Sequence, residues 1–261
     1  MYMYKFFSKN EVYYKSPTSL LLKGDCLNLL KKIPDETISL IVTDPPYFLS
    51  NNGITCKSGK MVSVNKGDWD KKNSIQEVDE FNEKWLSECK RILKKDGTMW
   101  VFGTSHNIFS IGYLLRKLEY KILNTITWVK KSPPPNLSCR VFTHSTEIVI
   151  WSKKSEKSKQ TFNYSLMKEI NGGKQMKDVW VFGRPLKIEQ RHGKHPTQKP
   201  EDLVERIVKS SSNSNDIVLD LFCGSGTTGV VSVRNKRYFV GIDLEKEYLE
   251  VSKKRIIDES N

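Results

Sequence analysis

A nearly all-apolar segment, Ile38–Thr43, constrains the fold of this chain more than any other feature of its sequence. Apolar residues at consecutive positions are typical of a strand that is covered on both faces, as the strands of a parallel sheet are. The segment leads directly into Asp44, which places a carboxylate at the carboxyl end of such a strand. Strand and helix patterns alternate along the rest of the chain, and this order predicts a doubly wound, mostly parallel α/β sheet.

The other elements follow from hydrophobic spacing and from turn residues. Besides Ile38–Thr43 and a short apolar run at Ser19–Lys23, strands are predicted at residues 98–102, 121–129, 147–151, 217–221 and 238–242. Helices are predicted at residues 26–33, 81–93 and 107–118, after Pro200, from Thr227, and up to about residue 257. Residues 50–73 are polar and contain three glycines, so we expect a mobile loop there.

The length of 261 residues suits one large α/β domain with a small insertion. No apolar run approaches the roughly 20 residues that a membrane span needs. The first residues lack the apolar core and the cleavage site of a secretory signal. We therefore expect a cytoplasmic, nucleoid-associated protein without a membrane partner.

Metal binding has little support in the sequence. The five cysteines are scattered and none form a Cys-x-x-Cys pair, so neither a zinc site nor a disulfide framework is indicated. His192 and His195 flank Gly193 and precede Pro196, which is a poor helical context for a paired metal site. We expect no metal.

The net charge of +13 predicts a polyanionic partner, because Lys and Arg gain free energy by releasing the counterions condensed around phosphates. The alternative is a lysine-rich surface that is merely solvated. Residues 153–199 contain twelve Lys or Arg and four Asp or Glu, so +8 of the charge lies in this stretch. Residues 152–194 are also weakly periodic, and we interpret them as a basic insertion.

A glycine-rich loop at residues 220–229, Asp-Leu-Phe-Cys-Gly-Ser-Gly-Thr-Thr-Gly, lies between a predicted strand and a predicted helix. Gly224 and Gly226 allow close approach of the backbone to a ligand, and the helix that follows offers free N–H groups. With Gly229 they satisfy the dinucleotide pattern, but the Lys-Ser/Thr of a phosphate loop is missing. Asp220 favours instead a ligand with a cationic amino-acid end. An ordinary tight turn is the alternative.

Asp243 ends the next predicted strand, seventeen residues after Gly226. A carboxylate at this place in a nucleoside-binding sheet can accept hydrogen bonds from both ribose hydroxyls. The loop and Asp243 together therefore predict a site for a nucleoside that carries an amino-acid group.

Asp44-Pro-Pro-Tyr47 follows the predicted strand at Ile38–Thr43 and suggests chemistry on an amino group. Two consecutive prolines stiffen the chain and fix the directions of the carbonyls of Asp44 and Pro45. An amine conjugated to a base ring is a poor nucleophile, and two acceptors that take its two N–H bonds direct its lone pair at a methyl donor. Tyr47 can stack on a base that has left the duplex. A proline-rich turn without such a role is the alternative.

With these motifs the chain resembles the amino-group DNA methyltransferases over most of its length. Asp-Pro-Pro-Tyr is similar to the catalytic motif of that family, and Asp-x-Phe-x-Gly-x-Gly-Thr to its cofactor motif. Residues 195–200, His-Pro-Thr-Gln-Lys-Pro, resemble the segment that lines the methionine end of the cofactor. Residues 24–26 resemble the turn at its adenine, and residues 128–130 and 144–147 resemble segments that border the target-base pocket.

The order of the motifs, catalytic first and cofactor last, resembles the beta class of the family. The resemblance implies a circularly permuted, Rossmann-like methyltransferase fold, with a seven-stranded mixed sheet and helices on both faces. It divides the chain into a catalytic half at residues 1–151, a target-recognition insertion at residues 152–194 and a cofactor half at residues 195–261. It implies S-adenosylmethionine as cofactor and double-stranded DNA as substrate. It also allows a homodimer and a cognate restriction endonuclease as partners.

The site residues carried over from the resemblance form two groups. The catalytic group is Asp44, Pro45, Pro46 and Tyr47. The cofactor-binding group is Asp25, Cys26, Asp44, His195, Thr197, Lys199, Asp220, Phe222, Cys223, Gly224, Ser225, Gly226, Thr227, Thr228 and Asp243.

The expected reaction is direct in-line methylation of the exocyclic amine of adenine in double-stranded DNA after base flipping. In the family, Asp before Pro-Pro favours adenine and Ser favours cytosine, so cytosine N4 is the alternative. Methylation of a protein glutamine or an RNA guanine is disfavoured by the motif order and by Asp44. A catalytically inactive DNA-binding protein is the alternative from another class. Methylation at cytosine carbon 5 is disfavoured because no cysteine follows a proline.

Overall fold

The computed structural model describes residues 2–47, 54–57, 60–63 and 74–260. The strands in these ranges are β1 (Val12–Lys15), β2 (Ser19–Lys23), β3 (Ile38–Thr43), β4 (Ile54–Lys57), β5 (Lys60–Ser63), β6 (Leu93–Gly103), β7 (Lys121–Lys130), β8 (Thr146–Lys153), β9 (Val179–Phe182), β10 (Ile217–Asp220) and β11 (Tyr238–Asp243). The α-helices are α1 (Cys26–Leu30), α2 (Ile75–Ile92), α3 (Ile108–Lys117), α4 (Tyr164–Ile170), α5 (Glu201–Ser211), α6 (Thr227–Arg234) and α7 (Lys246–Ser260).

One mixed sheet organises the molecule, with the strand order β1-β2-β11-β10-β3-β6-β8-β7-β9. The neighbours from β2 to β6 are parallel, and β8 runs antiparallel to both β6 and β7. The seven strands from β2 to β7 in this order are those predicted from the sequence. The predicted count of seven is nevertheless two too low, because the short strands β1 and β9 extend the two edges of the sheet.

Helices cover both faces of the sheet, as the alternation of strands and helices predicted. On one face α1, α2 and α3 pack on side chains such as Ile41 of β3 and Val101 of β6. On the other face α5 and α6 pack on the residues that alternate with these, such as Leu40 and Trp100. Every residue of β3 is buried, which explains its nearly continuous apolar sequence.

The carboxyl ends of three adjacent parallel strands, β11, β10 and β3, bring acidic residues to one edge of the sheet. Asp243 and Asp220 are the last residues of β11 and β10, and Asp44 follows β3. We call this the carboxyl edge. In open α/β sheets ligands bind at the carboxyl ends of the strands, so the topology identifies where the site lies.

Residues 152–194, predicted as a basic insertion, contain more regular structure than their weak periodicity indicated. They include α4 and β9. Lys153 at the end of β8 is opposite Thr98, so the chain leaves the sheet away from the carboxyl edge. It returns along β9, whose last residue, Phe182, accepts a hydrogen bond from the amide of Lys131. The role of this stretch in target recognition stays a prediction.

The predicted mobile loop at residues 50–73 contains the hairpin of β4 and β5, and the rest of it lies outside the described residues. A second departure concerns β6, which begins at Leu93, five residues before the predicted start. None of the helices in the described ranges combines the length and the apolar character that crossing a membrane requires.

Candidate active site

A cavity of about 290 Å³ opens at the carboxyl edge. Every residue of the two groups carried over from the resemblance lines it, with the exception of Gly226. The structure therefore brings together segments that are separated by more than two hundred residues, from Asp25 at the N-cap of α1 to Asp243 at the end of β11. What each of these side chains contacts decides what the cavity can hold.

Asp44 is held by two donors. The Tyr47 hydroxyl donates to its Oδ1 at 2.6 Å, and the Lys199 ammonium donates to its Oδ2. Pro45 is buried, and Tyr47 is 8% exposed. These two donors hold the Asp44 carboxylate close to the Tyr47 side chain.

Lys199 is a buried cation between two carboxylates. Its Nζ contacts Asp44 and lies 3.8 Å from Oε2 of Glu147, which stands near the start of β8. Burial alone lowers the pKa of Lys199, but the charges of Asp44 and Glu147 outweigh it and raise the pKa above the usual value. The side chain therefore remains an ammonium at neutral pH.

Asp220 is a buried carboxyl group at the start of the glycine-rich loop. The Thr228 hydroxyl donates to Oδ2 at 2.7 Å, and the Phe222 amide donates to Oδ1 at 3.2 Å. Burial raises the pKa of Asp220 to about 7, because these hydrogen bonds do not fully compensate the loss of water. A carboxyl group with so high a pKa gains from a cationic ligand, which would restore its ionised form.

Asp243 has a carboxylate that organises the loop opposite it. Oδ2 accepts from the Gly224 amide at 2.8 Å, and Oδ1 accepts from the Glu245 amide at 2.9 Å. Burial raises the pKa of Asp243 to about 6. Each carboxylate oxygen has two lone pairs, so hydroxyl groups of a ligand can still donate to Asp243.

Gly224 and Gly226 have different functions. Gly224 has φ +48° and lies against His195, whose Nε2 would be 3.1 Å from a Cβ at this position. Gly226 has φ +74°, begins α6, and would bring a Cβ to 2.1 Å from the Ser252 hydroxyl. Gly224 therefore allows the loop to lie close to His195, whereas Gly226 allows α7 to pack closely behind the loop.

Cys26 and Cys223 line the cavity as apolar residues and are unsuited to nucleophilic catalysis. Burial raises the pKa of Cys26 to about 12 and that of Cys223 well above its usual value, so both stay thiols. Asp25 caps α1 by accepting from the Asn28 amide at 3.0 Å. The raised pKa values of the two thiols agree with the expectation that no covalent intermediate forms through a cysteine.

The structure places at the site several residues that the sequence analysis did not assign, among them Phe81, Tyr248 and Glu147. Phe81 of α2 and Tyr248 of α7 line the cavity, and the Tyr248 ring meets the His195 ring edge-on at 4.3 Å. Glu147 was noted only within a segment that borders the target pocket, not as a partner of Lys199. Phe81 has the helical spacing of a core residue, so no signal in the sequence separates it from one. Tyr248 follows Asp243 by five residues, and that proximity was the available signal.

The cavity suits a ligand with an amino-acid group and a ribose. Asp220 and Asp243 are buried carboxyl groups with raised pKa values at its wall, and Gly224 lets the loop lie close to His195 on the same wall. Phe81 and Phe222, whose ring centroids are 6.2 Å apart, add apolar surface for a flat heterocycle. The donor set therefore fits S-adenosylmethionine.

A mixed sheet of this order, with a glycine-rich loop and an acidic residue after the neighbouring strands, defines the class of S-adenosylmethionine-dependent methyltransferases. The DNA methylase family, whose model covers the N6 and N4 enzymes, matches residues 38–254. The chain belongs to this family of DNA methyltransferases, and S-adenosylmethionine is its cofactor.

Individual relatives agree with the family. The chain is 53% identical over 245 residues to the type II methyltransferase M2.LlaDCHI of Lactococcus lactis subsp. cremoris, covering 94% of this chain and 91% of the relative. It is 52% identical over 245 residues to the type II methyltransferase M2.DpnII of Streptococcus pneumoniae, with the same coverage of both chains. The crystal structure of the M1.HpyAVI–SAM complex superposes with a TM-score of 0.67 at 27% identity, covering 91% of this chain and 98% of the other.

Proposed function

We propose that this DNA methyltransferase methylates the exocyclic N6 amine of adenine in double-stranded DNA, with Asp44, Pro45, Pro46 and Tyr47 as the catalytic group. The observation that carries the proposal is the Asp44 carboxylate, held at the carboxyl edge beside the cofactor cavity. In the resemblance described above, Asp at this position favours adenine and Ser favours cytosine. Methylation of cytosine N4 is the second candidate, because it needs the same two acceptors.

The residues perform the reaction by positioning. The Asp44 carboxylate and the Pro45 carbonyl accept the two N–H bonds of the amine, and the Tyr47 ring stacks on the flipped base. When bound, S-adenosylmethionine supplies the electrophilic methyl group. The Asp44 carboxylate would accept the proton that the amine loses on taking up this methyl group and would pass it to solvent. Holding the reactants in line supplies much of the rate.

The assigned cofactor group has three parts in this proposal. Asp220, with Thr228 behind it, accepts from the amino-acid end of the cofactor, and Asp243 accepts from the ribose. Gly224, whose amide donates to Asp243, and Thr227 at the start of α6 border the same cavity. The other residues of that group that line the cavity form its walls: Asp25, Cys26, Asp44, His195, Thr197, Lys199, Phe222, Cys223, Ser225 and Thr227. Gly226 lies behind them at the start of α6.

DNA approaches the carboxyl edge, because Asp44 lies there. Residues 131–145, which connect β7 to β8, begin and end at this edge and contain no Asp or Glu. Lys131 and Arg140 are exposed within this connection, and Phe142 is 96% exposed. Basic side chains that contact phosphates and an exposed aromatic ring that contacts bases suit a nucleic-acid surface.

The chain is similar to type II methyltransferases, so we propose that it acts within a type II restriction–modification system.

The test is a methylation assay on unmethylated phage DNA with methyl-labelled S-adenosylmethionine, followed by digestion to nucleosides and mass spectrometry. Label in N6-methyldeoxyadenosine supports the proposal. Label in N4-methyldeoxycytidine keeps the fold and the mechanism but overturns the choice of base. No label in DNA, despite binding of the cofactor, would instead support a DNA-binding protein without catalytic activity.

The Asp44→Ala variant tests the assigned catalytic group. We expect methyl transfer to fall by at least about 10³-fold, since one of the two acceptors of the amine is lost. The affinity for S-adenosylmethionine, measured by calorimetry, should change little. Turnover close to that of the unmodified protein would remove Asp44 from the mechanism.

A further inference from the structure

Asp44 offers the amine no unoccupied carboxylate oxygen. Tyr47 donates to Oδ1 and Lys199 donates to Oδ2, and the Lys199 side chain is only 9% exposed. A target amine can use the second lone pair of either oxygen but must share the carboxylate with these donors, so its hydrogen bond to Asp44 is strongest when one of them has moved away. Tyr47 is attached to the same rigid turn, three residues away, so Lys199 is the donor that can move independently.

A second acceptor for Lys199 lies beside the first. Glu147 Oε2 is 3.8 Å from the ammonium, is buried, and has no hydrogen-bond partner in the described ranges of the chain. The other oxygen of Glu147 is engaged, because Lys130 approaches Oε1 at 2.7 Å. A buried carboxylate oxygen without a donor is costly, and a small rotation of the Lys199 side chain would supply one.

We propose that Lys199 is a positioning residue. Its ammonium group pairs with Asp44 until the target amine arrives, and the lysine side chain then rotates so that the ammonium group pairs with Glu147. The inference rests on the proposed function, in which Asp44 receives that amine. The transfer lets Asp44 accept from the amine without leaving a buried cation unpaired, which is a strongly unfavourable state. Charge is conserved in the step, since only hydrogen bonds change.

The surroundings of Lys199 suit such a transfer. The Thr197 carbonyl accepts from Nζ at 3.3 Å, and this contact can persist in both positions. The Phe102 and Tyr47 rings lie 5.3 Å and 5.7 Å from Nζ and exclude water on their sides. A lysine ammonium is a compact charge on a flexible stem, and it can change partners over a short distance more easily than a planar guanidinium.

The test is a double-mutant cycle of Glu147→Gln and Lys199→Met, with kcat and KM measured on unmethylated phage DNA. We expect Glu147→Gln to lower kcat by about 10- to 100-fold, because the ammonium then leaves Asp44 at a higher cost. The affinity for S-adenosylmethionine and the midpoint of thermal unfolding should stay unchanged. In the Lys199→Met background the same substitution should change kcat by less than about twofold, since no ammonium remains to be accepted.

Two outcomes would overturn the proposal. If Glu147→Gln has the kcat of the unmodified protein, Lys199 is a permanent counter-ion of Asp44. If the two single effects multiply in the double variant, Glu147 acts independently of Lys199. Glu83→Gln is the control, because Glu83 also pairs with a lysine, Lys117 at 2.8 Å, but this ion pair involves neither Lys199 nor Asp44.

The failure of this inference can be told apart from failure of the proposed function. An active Asp44→Ala variant would contradict the proposed function itself. An inactive Asp44→Ala variant together with a fully active Glu147→Gln variant would contradict only the transfer between carboxylates.

Discussion

At the scale of single residues, the site keeps three carboxyl groups close together at the cost of stability. Asp44, Asp220 and Asp243 all line one cavity, and the charges of the other two contribute to the raised pKa of Asp220. Lys199 is the cation placed nearest to them among the described residues of the cavity wall, and it contacts Asp44 rather than the other two. The ionised form of Asp220 is therefore stabilised only by the hydrogen bonds from Thr228 and Phe222 described above, and a cationic ligand would stabilise it further.

The pH dependence of stability follows from the pKa of Asp220. Because the pKa rises from 3.8 to about 7 on folding, the folded state binds the proton more tightly than the unfolded state. The stabilisation is fully present below about pH 4 and is lost as the pH rises through about 7. The size of this contribution is on the order of 4 kcal/mol.

The Asp220→Asn variant should remove this dependence, since an amide does not ionise. We expect its free energy of unfolding, relative to that of the unmodified protein, to rise between about pH 4 and pH 7 and to level off above. Urea denaturation without cofactor at a series of pH values measures it. A difference that is constant with pH would show that Asp220 is not the group responsible.

At the scale of elements, β9 is an edge strand attached by aromatic packing. Trp100 of β6 stacks on Trp151 of β8 with ring centroids 5.0 Å apart, and Trp180 of β9 lies 5.8 Å from Trp100. Trp180 is buried, whereas its neighbours Val179 and Val181 are more than half exposed. The strand is short, so this one side chain accounts for much of the burial that keeps it in the sheet.

Trp180→Ala should lower the free energy of unfolding by about 3–5 kcal/mol, because it removes a large buried aromatic side chain. Cofactor affinity at low temperature should change little, since β9 does not contribute to the cavity wall. Chemical denaturation and calorimetry measure the two quantities. Val181→Ala, on the exposed face of the same strand, is the control and should cost about 0.5 kcal/mol or less; equal effects of the two substitutions would contradict this account of β9.

At the scale of the whole molecule, the net charge of +13 predicts binding to DNA that depends strongly on salt. The fold separates the basic residues into different surfaces. Lys157 and Lys159 follow β8 where it leaves the sheet away from the carboxyl edge. Lys131 and Arg140 are exposed on the connection that borders Asp44. We propose that position relative to the carboxyl edge, rather than local charge density, decides which of them contact DNA.

Paired substitutions test this separation. We expect Lys131→Ala with Arg140→Ala to weaken binding to a short DNA duplex and to reduce the slope of log affinity against log salt by about 2. Lys157→Ala with Lys159→Ala, which removes the same charge, should leave the slope nearly unchanged. Fluorescence anisotropy between about 50 and 200 mM salt measures both. Equal slopes for the two double variants would mean that Lys157 and Lys159, near the beginning of the basic insertion, contact phosphates as much as Lys131 and Arg140 do.

Much of the fold and the site could be predicted because the relevant signals are local. The nearly all-apolar segment of β3 predicts a buried strand. The glycine-rich loop before α6 predicts the turn between a strand and a helix. The two edge strands were not predicted: β1 and β9 are four residues each and have exposed positions, so their sequences differ little from those of loops. The start of β6 was misplaced because Lys94, Lys95 and Asp96 are polar residues at the end of an otherwise buried strand.

The sequence by itself determined the alternation of strands and helices, the seven central strands and the residue types at the carboxyl edge, because hydrophobic periodicity and turn residues act over short distances. Only the tertiary structure decided which charged groups meet. Lys199 and Asp44 are separated by 155 residues along the chain, and Glu147 comes from a third segment. Such a cluster forms where strand ends converge, and its pairings depend on distances of a few ångströms that no local pattern encodes.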